Sequence, residues 1–272
     1  MDNNFLKQVL HNHQSCDKCP SADQIRIFFE DYLGLLFPNF NRGEPVADIA
    51  SLQHRFQHLT QGLELLLIEN PVSQRTKIAS EFFAQAPSIF DKLNLDAQAL
   101  YQGDPAAKSV KEVIRSYPGF YAIAAYRVAH VLLHLGVLGL PRSITEVAHS
   151  KTGIDIHPGA QIGNSFCIDH GTGVVIGETA VIGDRVKIYQ GVTIGALSVN
   201  KEDENSKRHP TIADDVIIYA GATILGGETV IGKSSIIGGN VWLTKSIPPG
   251  SKIYYKVNLQ KDNQDPELII IK

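Results

Sequence analysis

From Ile156 to Trp242 an aliphatic side chain returns at every sixth position. The first run is Ile156, Ile162, Ile168, Val174, Val186 and Val192, with Ala180 filling one slot. The second is Ile212, Ile218, Ile224, Val230 and Ile236, with Trp242 last. A period of six matches neither a helical turn nor strand alternation. It predicts a parallel β-helix of hexapeptides, each laying one short strand on a triangular prism and turning a corner. Three hexapeptides make one coil, so residues about eighteen apart should stack. The break before Ile212 carries Arg208-His209-Pro210 and should leave the prism as a loop, where chemistry is commonly housed.

Upstream the period is helical. Ile25, Phe28, Phe29, Tyr32, Leu33 and Leu36 form one stripe, and Leu59, Leu63, Leu66 and Leu67 another. Pro38, Pro71, Pro87 and Pro118 mark expected stops and turns. The pattern gives an α+β chain, an N-terminal α-helical domain followed by a left-handed parallel β-helix of hexapeptide repeats. The expected division is 1–152 helical, 153–256 β-helix and 257–272 tail. Ile247-Pro248-Pro249-Gly250 reads as the end of the coils. Leu268-Ile269-Ile270-Ile271 is apolar enough to dock as a strand.

The chain has 272 residues, enough for a sizeable core. A net charge of −3 argues against a nucleic-acid surface. Phe120 to Leu140 is apolar, but Arg127, His130 and His134 interrupt it at helical spacing, so a packed helix is expected rather than a membrane span. Three cysteines and no visible export signal point to a reducing, cytoplasmic setting.

Chemistry concentrates at Cys167-Ile168-Asp169-His170-Gly171-Thr172-Gly173, where an Asp and a His follow an inward Ile. Asp155 lies about one coil earlier, and a corner between the two would bring its carboxylate to the imidazole. Such a carboxylate fixes the ring tautomer and makes the free nitrogen a better proton acceptor. A lone His is more often a satisfied surface residue. The Asp-His adjacency, and Arg208-His209 on the excursion, favour function here. His157, before Pro158, reads as structural.

Gly153-Ile154-Asp155-Ile156-His157-Pro158, then Ile168 to Ala180, then Arg208-His209-Pro210 closely resemble serine O-acetyltransferases. The likeness extends back through Gly103-Asp104-Pro105-Ala106, Tyr117 to Ala122 and Ala125 to His130. The resemblance implies transfer of acetyl from acetyl-CoA, a co-substrate rather than a resident cofactor, to the hydroxyl of L-serine. It implies His170 as general base oriented by Asp155, Asp104 and Asp169 on the serine ammonium, Arg208 on its carboxylate, and His209 lining the same pocket. It also implies a pocket between subunits of a homotrimer, with two trimers joining through the helical domains, and leaves cysteine feedback open.

The amides around Gly195-Ala196 are candidates for the oxyanion. Ala220-Gly221-Ala222 and Gly238-Gly239 are expected to leave amides open for the CoA arm, with Lys233 and Lys245 as candidates for its phosphates. Ala196 and Asn240 stand where the family has glycine, and the segment before Arg208 is longer and more charged than usual. The chain ends Ile271-Lys272, which argues against docking into O-acetylserine sulfhydrylase, since such complexes use a terminal isoleucine carboxylate.

The alternatives are a hexapeptide acyltransferase acting on homoserine or a sugar, a γ-type zinc hydratase, and a non-catalytic scaffold. A zinc site would draw on His157, His170 and His209, which lack the expected close pair. His11, His13, Cys16 and Cys19 lie close together in sequence, but too tightly for an easy tetrahedral site, so no metal is expected.

Overall fold

The computed structural model describes residues 1–15, 19–40, 46–197, 206–257 and 268–270. Cys16 of the N-terminal His/Cys cluster, the charged flap residues Lys201 to Glu204, and the terminal Ile271-Lys272 lie outside them.

Among the described residues eight helices come first: α1 (Asn3–Ser15), α2 (Ala22–Leu36), α3 (Ile49–Leu66), α4 (Val72–Ala84), α5 (Ala86–Gly103), α6 (Val110–Ser116), α7 (Pro118–His134) and α8 (Leu140–Thr152). The capping box of Ser21 and Gln24 starts α2, whose buried face is Ile25, Phe28, Phe29, Tyr32 and Leu33. Prolines open helices as well as closing them, since Pro87 lies in the first turn of α5 and Pro118 begins α7. The apolar Phe120–Leu140 stretch is most of α7, a turn with Gly136 and Gly139 at positive φ, and the first residue of α8. No described helix is long and apolar enough to cross a membrane.

Helix α7 is buried nearly all round, which is why its sequence reads as continuously apolar. Its polar side chains fasten it to the first coil. Tyr126 donates to the carbonyl of Ala160 at 2.6 Å and accepts from Ile162 N–H at 3.1 Å. Arg127 pairs with buried Asp96 at 3.0 Å and donates to the carbonyls of Ile162 and Gly163. His130 Nδ1 lies 2.8 Å from the carbonyl of Pro158. One continuous core therefore runs from the helices into the prism.

Helix α8 ends at Thr152, capped by Gly153 at φ 70. The solenoid strands are β1 (Asp155–Ile156), β2 (Gln161–Ile162), β3 (Cys167–Asp169), β4 (Val175–Ile176), β5 (Val181–Ile182), β6 (Lys187–Tyr189), β7 (Thr193–Gly195), β8 (Thr211–Ile212), β9 (Ile217–Ile218), β10 (Thr223–Leu225), β11 (Val230–Ile231), β12 (Ile236–Ile237), β13 (Trp242–Leu243) and β14 (Lys252–Ile253). They form three parallel faces: face A is β1-β4-β7-β10-β13, face B is β2-β5-β8-β11, and face C is β3-β6-β9-β12-β14.

Among the described strands the eighteen-residue spacing holds only between β4 and β7, where Val175 stacks on Thr193. Asp155 stacks on Val175, Val181 on Thr211, and Thr211 on Val230. Extra residues are spent at corners, and each insertion shifts the sequence phase. Val230 and Trp242, expected inward, are therefore exposed, while Ile231, Ile237 and Val241 fill the axis. The added residue sits in the Gly226-Gly227-Glu228 turn between Leu225 and Val230.

Nor does the solenoid stop at Pro248-Pro249. The two prolines form a corner, where no ladder donor is required, and β14 then adds to face C against β12. The tail returns as expected: β15 (Tyr255–Val257) pairs antiparallel with β16 (Leu268–Ile270).

Candidate functional site

The predicted site residues fall on two different corners of the prism. His170 lies where face C turns into face A, between β3 and β4. Arg208 and His209 lie where face A turns into face B, between β7 and β8.

On the first corner, Ile168 and Ile176 both point inward and lie two residues further apart than one hexad. His170 stands on this lengthened corner at φ 58, the left-handed conformation that Ser165, Arg185, Asp215, Ser234 and Asn240 also adopt at other corners. Its ring is 72% exposed, and Nε2 stands 3.8 Å from Asp169 Oδ1. Asp169 is largely covered and meets Lys187 Nζ at 3.2 Å. Lys187 in turn donates to the carbonyl of Gly103 at 2.6 Å, tying the end of α5 to this corner. Asp104 follows at once, accepting from Tyr117 Oη at 2.6 Å and from Ala106 N–H at 2.8 Å. The Tyr117 hydrogen bond is the chief cause that holds the Asp104 carboxyl below its ordinary range, and the charge of His170 acts the same way. That bond also pushes the Tyr117 phenol up to about 12.

Asp155 is placed differently from its expected role. Its carboxylate accepts from Arg142 at 2.9 and 3.4 Å, and no contact joins it to His170. Arg142 is presented by α8, which packs on β1 and reaches the acid first. Glu146, His149 and Asp155 converge closely enough to suggest a cation site, but Arg142 already pairs with both carboxylates. His157 borders the Arg208-His209 corner, whereas His170 stands on the other.

On the second corner, Gly177-Glu178-Thr179 meets Arg208-His209. Arg208 pairs with Glu178. Thr179 Oγ1 accepts from the N–H groups of Arg208 at 3.0 Å and His209 at 3.1 Å. The His209 ring lies against Gly177 so closely that a Cβ there would fall 1.9 Å from Nε2. His157 borders the cluster, its Nδ1 accepting from Gly159 N–H at 3.0 Å. Burial, then the charges of Arg208 and Lys207, depress the His209 ring to about 4.

The expected CoA residues do not line one groove on one chain. Ala220, Gly221, Gly238 and Gly239 lie on the His170 corner, whereas Gly195, Ala196 and exposed Lys245 lie towards the His209 corner. Ala222 is wholly buried and points into the axis. The amides of Gly221, Ala222 and Gly238 already donate to Gln190, Tyr219 and Ile253. Gly238 is also covered by the Tyr254 ring. Lys233 is drawn to Asp214 and Asp215 on the third corner.

Tyr117, Lys187, Glu178 and Thr179 had no assigned role in the sequence reading. Three of them stand inside the quoted motifs. Lys187 was hidden because it stacks on Cys167 through a coil of non-standard length.

Residues 56–125 match the family model of the serine acetyltransferase N-terminal region. A plasmid-encoded serine acetyltransferase of Synechococcus elongatus is 54% identical over 213 residues, covering 76% of this chain and 66% of its own. The serine acetyltransferase of Bacillus licheniformis is 45% identical over 165 residues, covering 61% of this chain and 74% of its own. The crystal structure of Entamoeba histolytica serine acetyltransferase 1 in complex with L-cysteine superposes with a TM-score of 0.78 at 36% identity, over 87% of each chain. By sequence and by fold, the chain belongs to the serine acetyltransferase family.

Proposed function

We propose that the protein transfers the acetyl group of acetyl-CoA to the hydroxyl of L-serine, with His170 as the proton acceptor. The observation that carries the reading is the exposed His170 ring on a two-residue insertion, beside Asp169 and Asp104. A serine hydroxyl is a poor nucleophile until its proton is removed as the bond forms. In the proposed step serine Oγ attacks the thioester carbon and its proton passes to His170. The C–S bond then breaks and the thiolate takes that proton, leaving O-acetylserine and CoA.

Asp104 and Asp169 supply negative charge for the ammonium, and Arg208 with His209 faces the carboxylate. Asp155 is a supporting residue in this scheme, since Arg142 and not the imidazole holds it. The two halves occupy different corners of one prism, so the complete pocket forms where the His170 corner of one copy meets the His209 corner of another. A homotrimer closes that arrangement with every site alike.

The test is CoA thiol release with serine, homoserine and threonine offered side by side. Turnover should be highest with serine, and a preference for homoserine would displace the assignment. His170→Ala should keep the assembly and lower kcat by about 100- to 10,000-fold, the range of a general base. Near-normal turnover in that variant would remove His170 from the role.

A further inference from the structure

Three observations on the second corner converge on the protonation state of one ring. First, the backbone N–H of Thr179 points at His209 Nδ1 from 3.1 Å. A backbone amide only donates, so this nitrogen must present its lone pair. Second, Thr179 Oγ1 already accepts from the N–H groups of Arg208 and His209. With both lone pairs engaged, its own hydrogen is left to donate, and the nearest acceptor is the same Nδ1 at 2.8 Å. Third, the ring is buried with Nε2 and Cδ2 close against Gly177, and turning it over would set a ring C–H against the Thr179 N–H.

We propose that Thr179 is a positioning residue that locks His209 as the neutral tautomer with its proton on Nε2, making His209 a fixed hydrogen-bond donor rather than a proton acceptor. The charged groups around the ring act in keeping with this. Arg208 and Lys207 on its own loop oppose a second proton, as does His157 across the corner, while Glu178 alone favours one. Glu178 is engaged by Arg208. The two histidines of the proposed site thereby divide the work, His170 free to take a proton and His209 confined to giving a hydrogen bond. This division rests on the proposed reaction, but the lock is a property of the unliganded protein.

The experiment uses the full-length protein with 15N-labelled histidine, and correlation spectra that report which ring nitrogen bears the proton. The His209 signal is assigned by its absence in His209→Gln. From about pH 5.5 to about pH 8.5, His209 should show a protonated Nε2 and an unprotonated Nδ1 that do not change. Thr179→Ser, which keeps the hydroxyl and the amide, should retain this pattern. Thr179→Val, which has the same shape and the same backbone amide without the hydroxyl, should admit the Nδ1-protonated tautomer as a minor form and raise the titration above that of the parent. The same variant should lose about tenfold in kcat/KM and gain an extra acid limb in its pH profile, with both restored in Thr179→Ser. A His209 ring with its proton on Nδ1, one that titrates near 6.5 in the unaltered protein, or a Thr179→Val spectrum identical to the parent would each overturn the proposal. Because the spectra are read without substrate, failure of the serine assay would sink the reaction assignment and leave the lock untouched.

Discussion

A Cβ built on Gly177 would fall 1.9 Å from Nε2 of a ring that is fastened at its other nitrogen and by its own N–H. Gly177→Ala must therefore expel His209 from its seat. Activity should fall at least as far as in Thr179→Val while the circular-dichroism spectrum stays that of the parent, and undiminished turnover would show that the ring position is unimportant. The same ring sets a pH dependence of stability. Its pKa is lowered to about 4 in the folded chain, against about 6.5 when unfolded. Above about 6.5 neither state binds the proton, and the neutral ring's contribution is complete. As pH falls from there towards about 4, the unfolded chain takes up a proton that the folded chain refuses, and that contribution is lost. His209→Gln should flatten this acid decline in melting temperature; a parent-like slope between pH 7 and 5 would contradict it.

At the scale of the element, α7 decides how the helices meet the prism. Arg127 and Asp96 are both buried, and Asp96 also accepts from Phe166 N–H at 2.9 Å. Removing one partner leaves a charge in the interior without its counter-ion. Arg127→Met should cost about 3–5 kcal/mol in denaturant unfolding, the penalty typical of a broken buried pair. A loss below about 1 kcal/mol would mean that water or another side chain fills the place. The motif residues Tyr126, Arg127 and His130 thus attach the first coil to α7. Their hydrogen bonds to the carbonyls of Ala160, Ile162 and Pro158 set the position of β1 and β2 against the helices.

For the whole molecule, the separation of the two corners makes a prediction that no single-chain site would satisfy. In the proposed trimer His170→Ala spoils one half of every pocket and His209→Ala the other, so neither variant has a complete pocket. Subunits mixed after mild dissociation should regain part of the parent turnover, because some interfaces then pair an intact His170 corner with an intact His209 corner. A mixture no more active than its components would place the whole site within one chain.

Much of this was legible in the sequence because it is local or periodic. The sixfold aliphatic rhythm implies a solenoid whatever surrounds it, since only that geometry buries one side chain at each such interval. The stripe from Ile25 to Leu33 likewise implies a helix, and the adjacency of Asp169 and His170 needs no fold to be noticed. Three things belonged to the tertiary structure. The phase after Leu225 depends on one residue absorbed at a corner, which turned Val230 and Trp242 outward and Ile231 and Ile237 inward. The partner of Asp155 is Arg142, from a helix whose approach angle no linear spacing encodes. The seat of His209 joins Gly177 and Thr179 to a residue thirty positions later, across a coil lengthened by an excursion. Periodicity fixes which way a side chain faces within a repeat. Only the folded corners, where repeats are lengthened and distant segments stack, decide which polar groups meet.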